Sequence, residues 1–337
     1  MRTPRIKISS AKAEATYHCI SRIVGSEFLI KDNLAKNVLK KQLRQVADFC
    51  GLQILTFAIL SNHFHVLVHV PQKTEIPDDE LLRRYKILYP KPTVFQTARI
   101  DVIAAQLKAN SPEAALWRRR QLALMNDVSQ FMKLVKQRFS IWYNRNHQRT
   151  GTLWSERFKS VLVEGNGRVL ETMAAYIDLN PVRAGLCDDP KNYPYCGYSE
   201  AVAGNKNARA GLQRITGSSH WNDAQSAYRL TLFGKGSAVK QGAAGISEEH
   251  FKRVLKSKGR LTLNEILLCR VRHFTDGAIL GTRAFVQKHL PLYNSLTGRR
   301  RRTAPRELPS IAEWGGSLST LRKLRKNPII IPAHNTS

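Results

Sequence analysis

The sequence is poor in acidic residues, has few cysteines and contains no long apolar run. Its 337 residues include 25 Asp and Glu against 54 Lys and Arg, which gives a formal net charge of +29. This excess of positive charge argues against a generic metabolic enzyme. It predicts a polyanionic partner, because clustered cations bind phosphates and release condensed counterions.

The scarcity of cysteines and of apolar runs excludes further classes of protein. The five cysteines are scattered without a Cys-x-x-Cys pair, so neither a disulfide framework nor a structural zinc site is indicated. No run approaches the roughly 18 apolar residues of a membrane-spanning helix, and the amino terminus lacks an apolar core of signal-peptide length. We therefore expect a cytoplasmic protein that contacts nucleic acid and no membrane.

Alternating patterns over residues 1–200 predict an α+β domain. Alternating apolar residues predict strands over 16–24, 52–60, 63–70 and 157–163. Amphipathic spacing predicts helices over 33–49, 127–146 and 168–179. This order indicates an antiparallel sheet with both main helices on one face, close to a ferredoxin-like split βαβ arrangement.

Three further segments interrupt or follow this domain. Prolines punctuate residues 71–127, which we interpret as an insertion. The Gly-, Asn- and Ala-rich stretch 201–245 is typical of a linker, and 246–337 predicts a small helical and basic C-terminal extension. Helices over 248–258 and 263–274 could form a helix-turn-helix, but we favour the alternative that this extension packs on the main domain.

A His-x-His pair lies in the strand predicted over 63–70. Side chains two residues apart on a strand project to the same face, so His63 and His65 flank one point while Phe64 turns toward the core. Two imidazoles in this arrangement can bind one divalent metal ion and leave positions open for a phosphate oxygen. Taken alone, the pair is somewhat better explained as two polar residues of a half-exposed strand. His69 lies on the same face, too far along the strand for a compact site, and we assign it a structural or DNA-contacting role.

A second candidate group ends the last predicted helix. Tyr176 and Asn180 are four residues apart, hence on one face of the final helical turn, and Pro181 ends the helix. A tyrosine beside a metal-coordinating amide can attack phosphorus, because the metal polarises the phosphoryl oxygen and favours the phenolate. In isolation, Tyr176 is one of ten tyrosines and Asn180 simply precedes a proline. Together with the histidine pair, the two residues predict a catalytic site.

These motifs together resemble a known family. His63-Phe64-His65, within Ser-Asn-His-Phe-His-Val-Leu-Val, is similar to the His-hydrophobic-His motif of the HUH nucleases. The segment Tyr-Ile-Asp-Leu-Asn-Pro-Val-Arg-Ala-Gly-Leu resembles the tyrosine helix of the single-tyrosine transposases, specifically the branch associated with repetitive extragenic palindromes (REP). The segments that begin at Tyr17 and Gly151 resemble the first strand of that branch and the stretch before its last strand. The resemblance covers about residues 15–200 and implies a ferredoxin-like HUH core.

The resemblance also implies an activity and its site residues. His63, His65 and Asn180 would be metal ligands, and Tyr176 would be the nucleophile. Tyr176 would attack a phosphate in single-stranded palindromic or hairpin DNA, leaving a 5′-phosphotyrosine link and a free 3′-hydroxyl for rejoining. Mg²⁺ or Mn²⁺ is the implied cofactor, and an amide ligand fits a hard cation completed by water or DNA. Relatives act as dimers or as monomers, so the oligomeric state stays open, and the DNA-bound protein is expected at the nucleoid.

Three cations lie near this predicted centre in sequence. Arg157, Lys159 and Arg183 would neutralise backbone phosphates, although ordinary solvated surface charge is an equally good interpretation of each one. Trp154 and Phe158 could stack on bases, but as large aromatics beside a strand they are better explained as core residues.

Two alternative functions remain open at this point. The same fold could hold hairpin DNA or RNA as a non-catalytic binding protein or repressor. A zinc hydrolase using His63, His65 and His69 is less well supported, because no carboxylate lies nearby in the familiar zinc-helix spacing to serve as general base.

Overall fold

The structure, a computed structural model, describes residues 5–233, 267, 270–297 and the pairs 306–307, 319–320 and 329–330. The strands of its central sheet are β1 (Ala15–Arg22), β2 (Gln53–Ile59), β3 (His63–Val70), β4 (Lys159–Val163) and β6 (Ile279–Leu280). Two-residue strands form separate pairs: β5 (Arg270–Val271) with β9 (Ile329–Ile330), and β7 (Arg306–Glu307) with β8 (Ser319–Thr320).

The central sheet has the strand order β2-β3-β1-β4-β6. β1, β2, β3 and β4 are antiparallel to their neighbours, and β6 joins the edge of β4 in parallel. All four long strands are rich in β-branched or aromatic residues, which pack well on a pleated surface. The predicted α+β class with an antiparallel core sheet is confirmed, and the parallel edge strand is an addition from the C-terminal region.

Helices cover both faces of this sheet. The bounds are α1 (Asn33–Cys50), α2 (Asp78–Ile87), α3 (Val94–Lys108), α4 (Pro112–Leu122), α5 (Val128–Asn146) and α6 (Gly167–Asp178). They continue with α7 (Asn180–Arg183), α8 (Gly197–Val202), α9 (Lys206–Thr216), α10 (Trp221–Phe233), α11 (Arg272–Asp276) and α12 (Arg283–Thr297). None of the helices in these described ranges is long and apolar enough to cross a membrane.

The two main helices, α1 and α5, lie together on one face of the sheet, as predicted. The ring of Phe64 on β3 packs against Trp154 at 5.6 Å between centroids, and Trp154 packs against Phe139 of α5 at 5.8 Å. On the same face, the Arg44 guanidinium of α1 lies 5.4 Å from the Phe57 ring of β2. Trp154 and Phe158 therefore belong to the core, in agreement with the preferred interpretation, and Phe158 is buried.

Helix α6 occupies the opposite face. Thr56 on β2 is paired in register with Leu67, so its side chain lies on the face of β3 that carries His63, His65 and Leu67. The hydroxyl of Thr56 donates to Asp178 Oδ1 at the end of α6, at 2.7 Å. The tyrosine helix and the histidine pair are thus on the same side of the sheet.

Local signals in the sequence set most helix ends. Asp127 caps α5 by accepting hydrogen bonds from the backbone N–H of Ser129 and Gln130. Gly51 closes α1 in the left-handed conformation, with φ of 68°. The N-cap of α1 is Asp32, whose carboxylate accepts the Ala35 N–H at 2.6 Å.

Two segments differ from their predicted structure. The predicted insertion 71–127 folds into α2, α3 and α4. Residues 201–245, interpreted as a linker, instead form α9 and α10 over Lys206–Thr216 and Trp221–Phe233. The buried residues of α9, Ala208, Gly211, Leu212 and Ile215, follow helical spacing, a pattern that the linker interpretation, based on composition, did not use.

Part of the C-terminal extension joins the main domain. The strand β6 extends the central sheet, with Leu162 paired to Ile279 and Val163 to Leu280. The helix predicted over 248–258 lies outside the described residues, and of the helix predicted over 263–274 only residue 267 and the segment from 270 onward are described. Through β6, this part of the extension packs on the main domain, as the favoured interpretation predicted.

Helix α9 lies directly on the backbone of β2 through Gly211. A Cβ atom at this position would press against the carbonyl oxygen of Leu55 and come within 3.0 Å of the Ile54 carbonyl oxygen. We expect Gly211→Ala to destabilise the protein by about 1–2 kcal/mol, because overpacking outweighs the gain in helix propensity. Urea unfolding measures the change, with the exposed Ala210→Ser as control; equal stability of Gly211→Ala and wild type would contradict the close packing.

Candidate active site

Three histidines from two adjacent strands meet on the α6 face of the sheet. His63 and His65 follow each other on that face of β3, with ring centroids 5.1 Å apart and planes at 70°. His18 on β1 is paired in register with Leu67 and so lies on the same face. Its ring is 5.1 Å from that of His65 and nearly coplanar with it. The prediction that His63 and His65 share one face is met, and His18 joins them.

Hydrogen bonds determine which ring nitrogen carries the proton in each residue of the histidine chain, the name used below for His18, His65 and His63. His18 Nδ1 lies 2.8 Å from the backbone carbonyl oxygen of Phe274, which can only accept, so Nδ1 carries the proton. The neutral His18 ring then has its lone pair on Nε2, which lies 2.8 Å from His65 Nδ1. His65 Nδ1 is therefore the donor, and the lone pair of the neutral His65 ring is on Nε2.

The same logic applies to His63. Its Nδ1 lies 2.6 Å from Asn62 Oδ1, while the Asn62 amide nitrogen donates to the Ser26 carbonyl at 3.3 Å. The amide orientation makes Oδ1 the acceptor, so His63 Nδ1 carries the proton and Nε2 carries the lone pair. Both predicted ligands thus present the same nitrogen in the electronic state that metal binding requires.

Burial keeps the imidazoles of His18 and His65 neutral. His18 is fully buried, and desolvation lowers the pKa of its imidazole to about 4, against the hydrogen bond to Phe274, which raises it. His65 is 2% exposed, and its pKa is lowered well below 6.5 by desolvation and by the neighbouring His18 and His63. A metal ion binds the neutral imidazole, so at neutral pH these rings need no deprotonation before they bind one.

The residues present fit a divalent cation held by two imidazoles. Two cis nitrogen ligands at bonds of about 2.1 Å bring their ring centres to roughly 5 Å, as seen for His63 and His65. Among the described residues, no group of three His, Cys, Asp or Glu side chains is arranged to hold a metal. Further ligands must therefore come from an amide, water or DNA oxygen, which suits a hard cation such as Mg²⁺ or Mn²⁺.

Tyr176 lies near the middle of this face and is 1% exposed. Its ring packs edge-on against Phe274 at 4.8 Å, and the guanidinium of Arg183 lies 4.0 Å from its ring centroid. Phe274 thus touches both groups: its ring contacts the tyrosine and its carbonyl accepts from His18. One C-terminal residue links the predicted nucleophile to the histidine chain.

Asn180 sits one helical turn after Tyr176, at the start of α7, which continues the helix where the sequence predicted its end. Its amide nitrogen donates to the carbonyl oxygens of Tyr176 and Ile177, each at 3.1 Å. The side chain thereby closes α6 and keeps its Oδ1 as the atom suited to a cation. Its role as third ligand stays a prediction.

The three predicted DNA-contacting cations differ in their surroundings. Arg157 is exposed just before β4. Lys159 lies on the histidine face, since it pairs in register with Ile20, and forms an ion pair with Asp276 of α11 at 3.1 Å. Arg183 donates to the Tyr176 carbonyl at 2.5 Å and to the Leu267 carbonyl. Lys159, whose side chain is 40% exposed, and the half-buried Arg183 thus contact the C-terminal segment or the tyrosine helix, whereas Arg157 is exposed.

Sequence reasoning missed His18 and Phe274. His18 follows the alternation of β1 and faces the histidine pair across one strand, so the paired registers of two predicted strands could have found it. Phe274 comes from the C-terminal extension, and no local pattern signals its approach. His69 is buried with Nδ1 3.4 Å from the Thr16 hydroxyl, which agrees with the structural role assigned to it.

A sheet carrying paired histidines, faced by a helix carrying a tyrosine, is the arrangement expected of single-tyrosine transposases. Residues 11–87 match the family model described as Transposase IS200 like, which supports the predicted resemblance to the single-tyrosine transposases over this part of the chain. The matched residues include His18, His63 and His65 and end before the tyrosine helix.

Comparison with other proteins adds one structural likeness. A solved structure, described as the REP associates tyrosine transposase bound to a REP hairpin, is 14% identical in sequence, with a TM-score of 0.38. The alignment covers 60% of this chain and 86% of that chain. No curated protein matches the chain.

The carboxylate of Asp178 holds α6 in place. It is fully buried and accepts hydrogen bonds from the Thr56 hydroxyl at 2.7 Å, the Tyr228 hydroxyl at 2.6 Å and the Tyr198 N–H at 3.1 Å. Burial raises the pKa of this carboxyl from 3.8 to about 6, and the hydrogen bonds oppose the rise. The position of Tyr176 therefore depends on contacts with β2, α8 and α10.

We predict a pH signature from Asp178. Between about pH 4 and pH 6 the native carboxyl keeps a proton that the unfolded chain has lost, so the free energy of unfolding falls as pH rises and is level above. The fall is at most about 3 kcal/mol, at 1.36 kcal/mol per pKa unit. Denaturant unfolding at several pH values measures the wild type minus the Asp178→Asn variant.

A difference between the two proteins that stays level or rises from pH 4 to pH 6 would contradict this assignment. Tyr228→Phe provides an independent check. It removes a donor that lowers the pKa of Asp178, so the fall in stability should extend to higher pH.

Proposed function

We propose that the protein cleaves and rejoins single-stranded palindromic or hairpin DNA, using Tyr176 as nucleophile and a divalent metal ion held by His63 and His65. The observation that carries the proposal is the pair of imidazoles whose Nδ1 protons are both donated to protein acceptors, on the sheet face that also receives the tyrosine helix. Protein partners that orient ligating histidines in this way are a general property of metal sites.

In the proposed reaction the Tyr176 oxygen forms a bond to phosphorus and the bond from phosphorus to the 3′ oxygen breaks. The phenolic proton leaves to solvent, and the departing oxygen takes a proton as a 3′-hydroxyl. A bound Mg²⁺ or Mn²⁺ would supply charge stabilisation at the phosphoryl oxygens. Attack by another 3′-hydroxyl on the tyrosine-linked phosphate reverses these steps and rejoins the DNA without an external energy source.

The chain's own residues have separate parts in this scheme. His63 and His65 hold the ion, and the carboxamide oxygen of Asn180 is the proposed third ligand. The Arg183 guanidinium, 4.0 Å from the Tyr176 ring, stabilises negative charge that develops on the phenol. Arg157 contacts the DNA backbone.

The second candidate is a non-catalytic protein that binds hairpin DNA. One observation favours it: Tyr176 is 1% exposed, beneath Phe274 and Arg183. A nucleophile must reach its phosphate, so cleavage requires this cover to move, whereas binding does not. The following assay separates the two functions.

We expect the wild-type protein, incubated with a labelled hairpin oligonucleotide and Mn²⁺, to form a protein–DNA adduct that survives a denaturing gel. Tyr176→Phe should abolish the adduct with DNA binding near normal, because only the phenolic oxygen is lost. Tyr143→Phe is the matched control, a buried tyrosine of α5 on the other face, and should form the adduct normally. Chelation of Mn²⁺ should act like Tyr176→Phe.

The outcomes are distinct. An adduct that persists in Tyr176→Phe would mean that another residue is the nucleophile. Binding by the wild type without cleavage in any divalent metal would favour the non-catalytic protein.

The positive charge predicts a strong dependence of DNA affinity on salt. Three phosphate contacts to a single strand give roughly a twentyfold loss of affinity between 50 and 200 mM salt, at a slope of about 0.7 per contact. Arg157→Gln should lower that slope by about 0.7, as one counterion-releasing contact is lost. Fluorescence anisotropy measures it, and Arg145→Gln, an exposed arginine of α5, should leave the slope unchanged. A flat salt response would contradict phosphate recognition.

A further inference from the structure

The histidine chain contains one ring that neither the sequence motif nor the family match assigns. His18 stands behind His65, at 2.8 Å between His18 Nε2 and His65 Nδ1. It is fully buried within the sheet face, so it cannot itself contact DNA. It can act on the site through its hydrogen bond to His65.

On the side away from His65, the His18 ring faces an atom that cannot donate a hydrogen bond. The Phe274 carbonyl oxygen accepts from His18 Nδ1 at 2.8 Å, and a carbonyl has no proton to give. The Phe274 carbonyl therefore sets the direction of both hydrogen bonds made by the His18 ring. If His18 held its proton on Nε2 instead, the Phe274 carbonyl would face a nitrogen without a proton, and His65 Nδ1 would have to accept from His18, which moves the His65 proton to Nε2.

The consequence falls on His65. An imidazole in water exchanges between two neutral tautomers, and only one of them has its lone pair on Nε2. With Nδ1 committed to His18, His65 holds the lone pair on Nε2, as His63 does through Asn62. The two ligands thus reach one ion with the same nitrogen.

We propose that His18, together with the Phe274 carbonyl, is a positioning residue that locks His65 in the tautomer and ring orientation that bind the divalent metal. This inference rests on the proposed function, since it assigns His18 a part in the same metal site. It also gives the C-terminal segment a role, because residue 274 supplies the acceptor that orders the chain.

The first test uses the wild-type protein alone. Long-range ¹H–¹⁵N correlation spectra of histidine-labelled protein without metal report which ring nitrogen of each histidine is protonated. We expect His65 and His18 to be protonated on Nδ1. A His65 protonated on Nε2 would overturn the inference regardless of any variant.

The second test measures Mn²⁺ affinity by calorimetry on the full chain without DNA. His18→Leu removes both hydrogen bonds and should weaken Mn²⁺ binding about 10–100-fold, the usual cost of losing a partner behind a metal ligand. His18→Gln should restore most of the affinity, because a carboxamide carries a donor and an acceptor at a separation similar to the two ring nitrogens. His69→Leu is the matched control, a buried histidine on the same face of the neighbouring strand β3, and should bind Mn²⁺ like the wild type.

A third measurement separates positioning from chemistry. At saturating Mn²⁺, His18→Leu should recover adduct formation with the hairpin oligonucleotide, whereas Tyr176→Phe should recover none at any Mn²⁺ concentration. Circular dichroism and thermal unfolding establish that each variant is folded. If His18→Leu does not fold, the comparison of His18→Gln with His69→Leu and the tautomer spectrum decide.

The results also distinguish this inference from the function beneath it. Wild-type binding of Mn²⁺ with an unchanged affinity in folded His18→Leu would overturn the role of His18 and leave the proposed function intact. A wild type that binds no Mn²⁺ would overturn the metal site and this inference with it.

Discussion

The buried carboxylate of Asp178 is the interaction on which the arrangement of this site depends. A charge without solvent is costly, and it persists here because hydroxyl and N–H donors from β2, α8 and α10 converge on it. Those contacts fix the end of α6 against the histidine face of the sheet. Tyr176 lies two residues earlier on the same helix. Its position on the histidine side of the sheet therefore follows from the hydrogen bonds that hold the Asp178 carboxylate. Helices beyond residue 200 are consequently part of the site's framework.

The histidine face is built from parts that are far apart in the chain. β3 supplies His63 and His65, β1 supplies His18, and the C-terminal segment supplies Phe274, which touches both His18 and Tyr176. The ion pair of Lys159 with Asp276 joins the same segment to β4. A region that by composition looks like an appendage therefore packs into the centre of the molecule.

The sequence predicted those features that depend on neighbours in the chain. Alternation placed His63 and His65 on one face and Phe64 on the other, because strand geometry has a period of two residues. Helix ends at Asp127 and Gly51 followed from capping chemistry. Helix α9 was missed because the linker interpretation relied on the Gly-, Asn- and Ala-rich composition, although Ala208, Leu212 and Ile215 are spaced as one face of a helix. The hydrogen-bond partners of His18 could not be predicted from a local pattern. One of them, His65, depends on strand pairing, and the other is a main-chain carbonyl 256 residues away in sequence.

The late position of Phe274 bears on how the protein is made. During synthesis the ribosome releases both ligating imidazoles and the tyrosine well before the carbonyl that orders them, and before the edge strand β6 that carries the sheet past β4. An unfinished polypeptide would hold the reactive side chains without the acceptor that aligns His18. Under the proposed mechanism, competence to cleave DNA arrives only once residue 274 has been translated, so products that end before it would be poor nucleases.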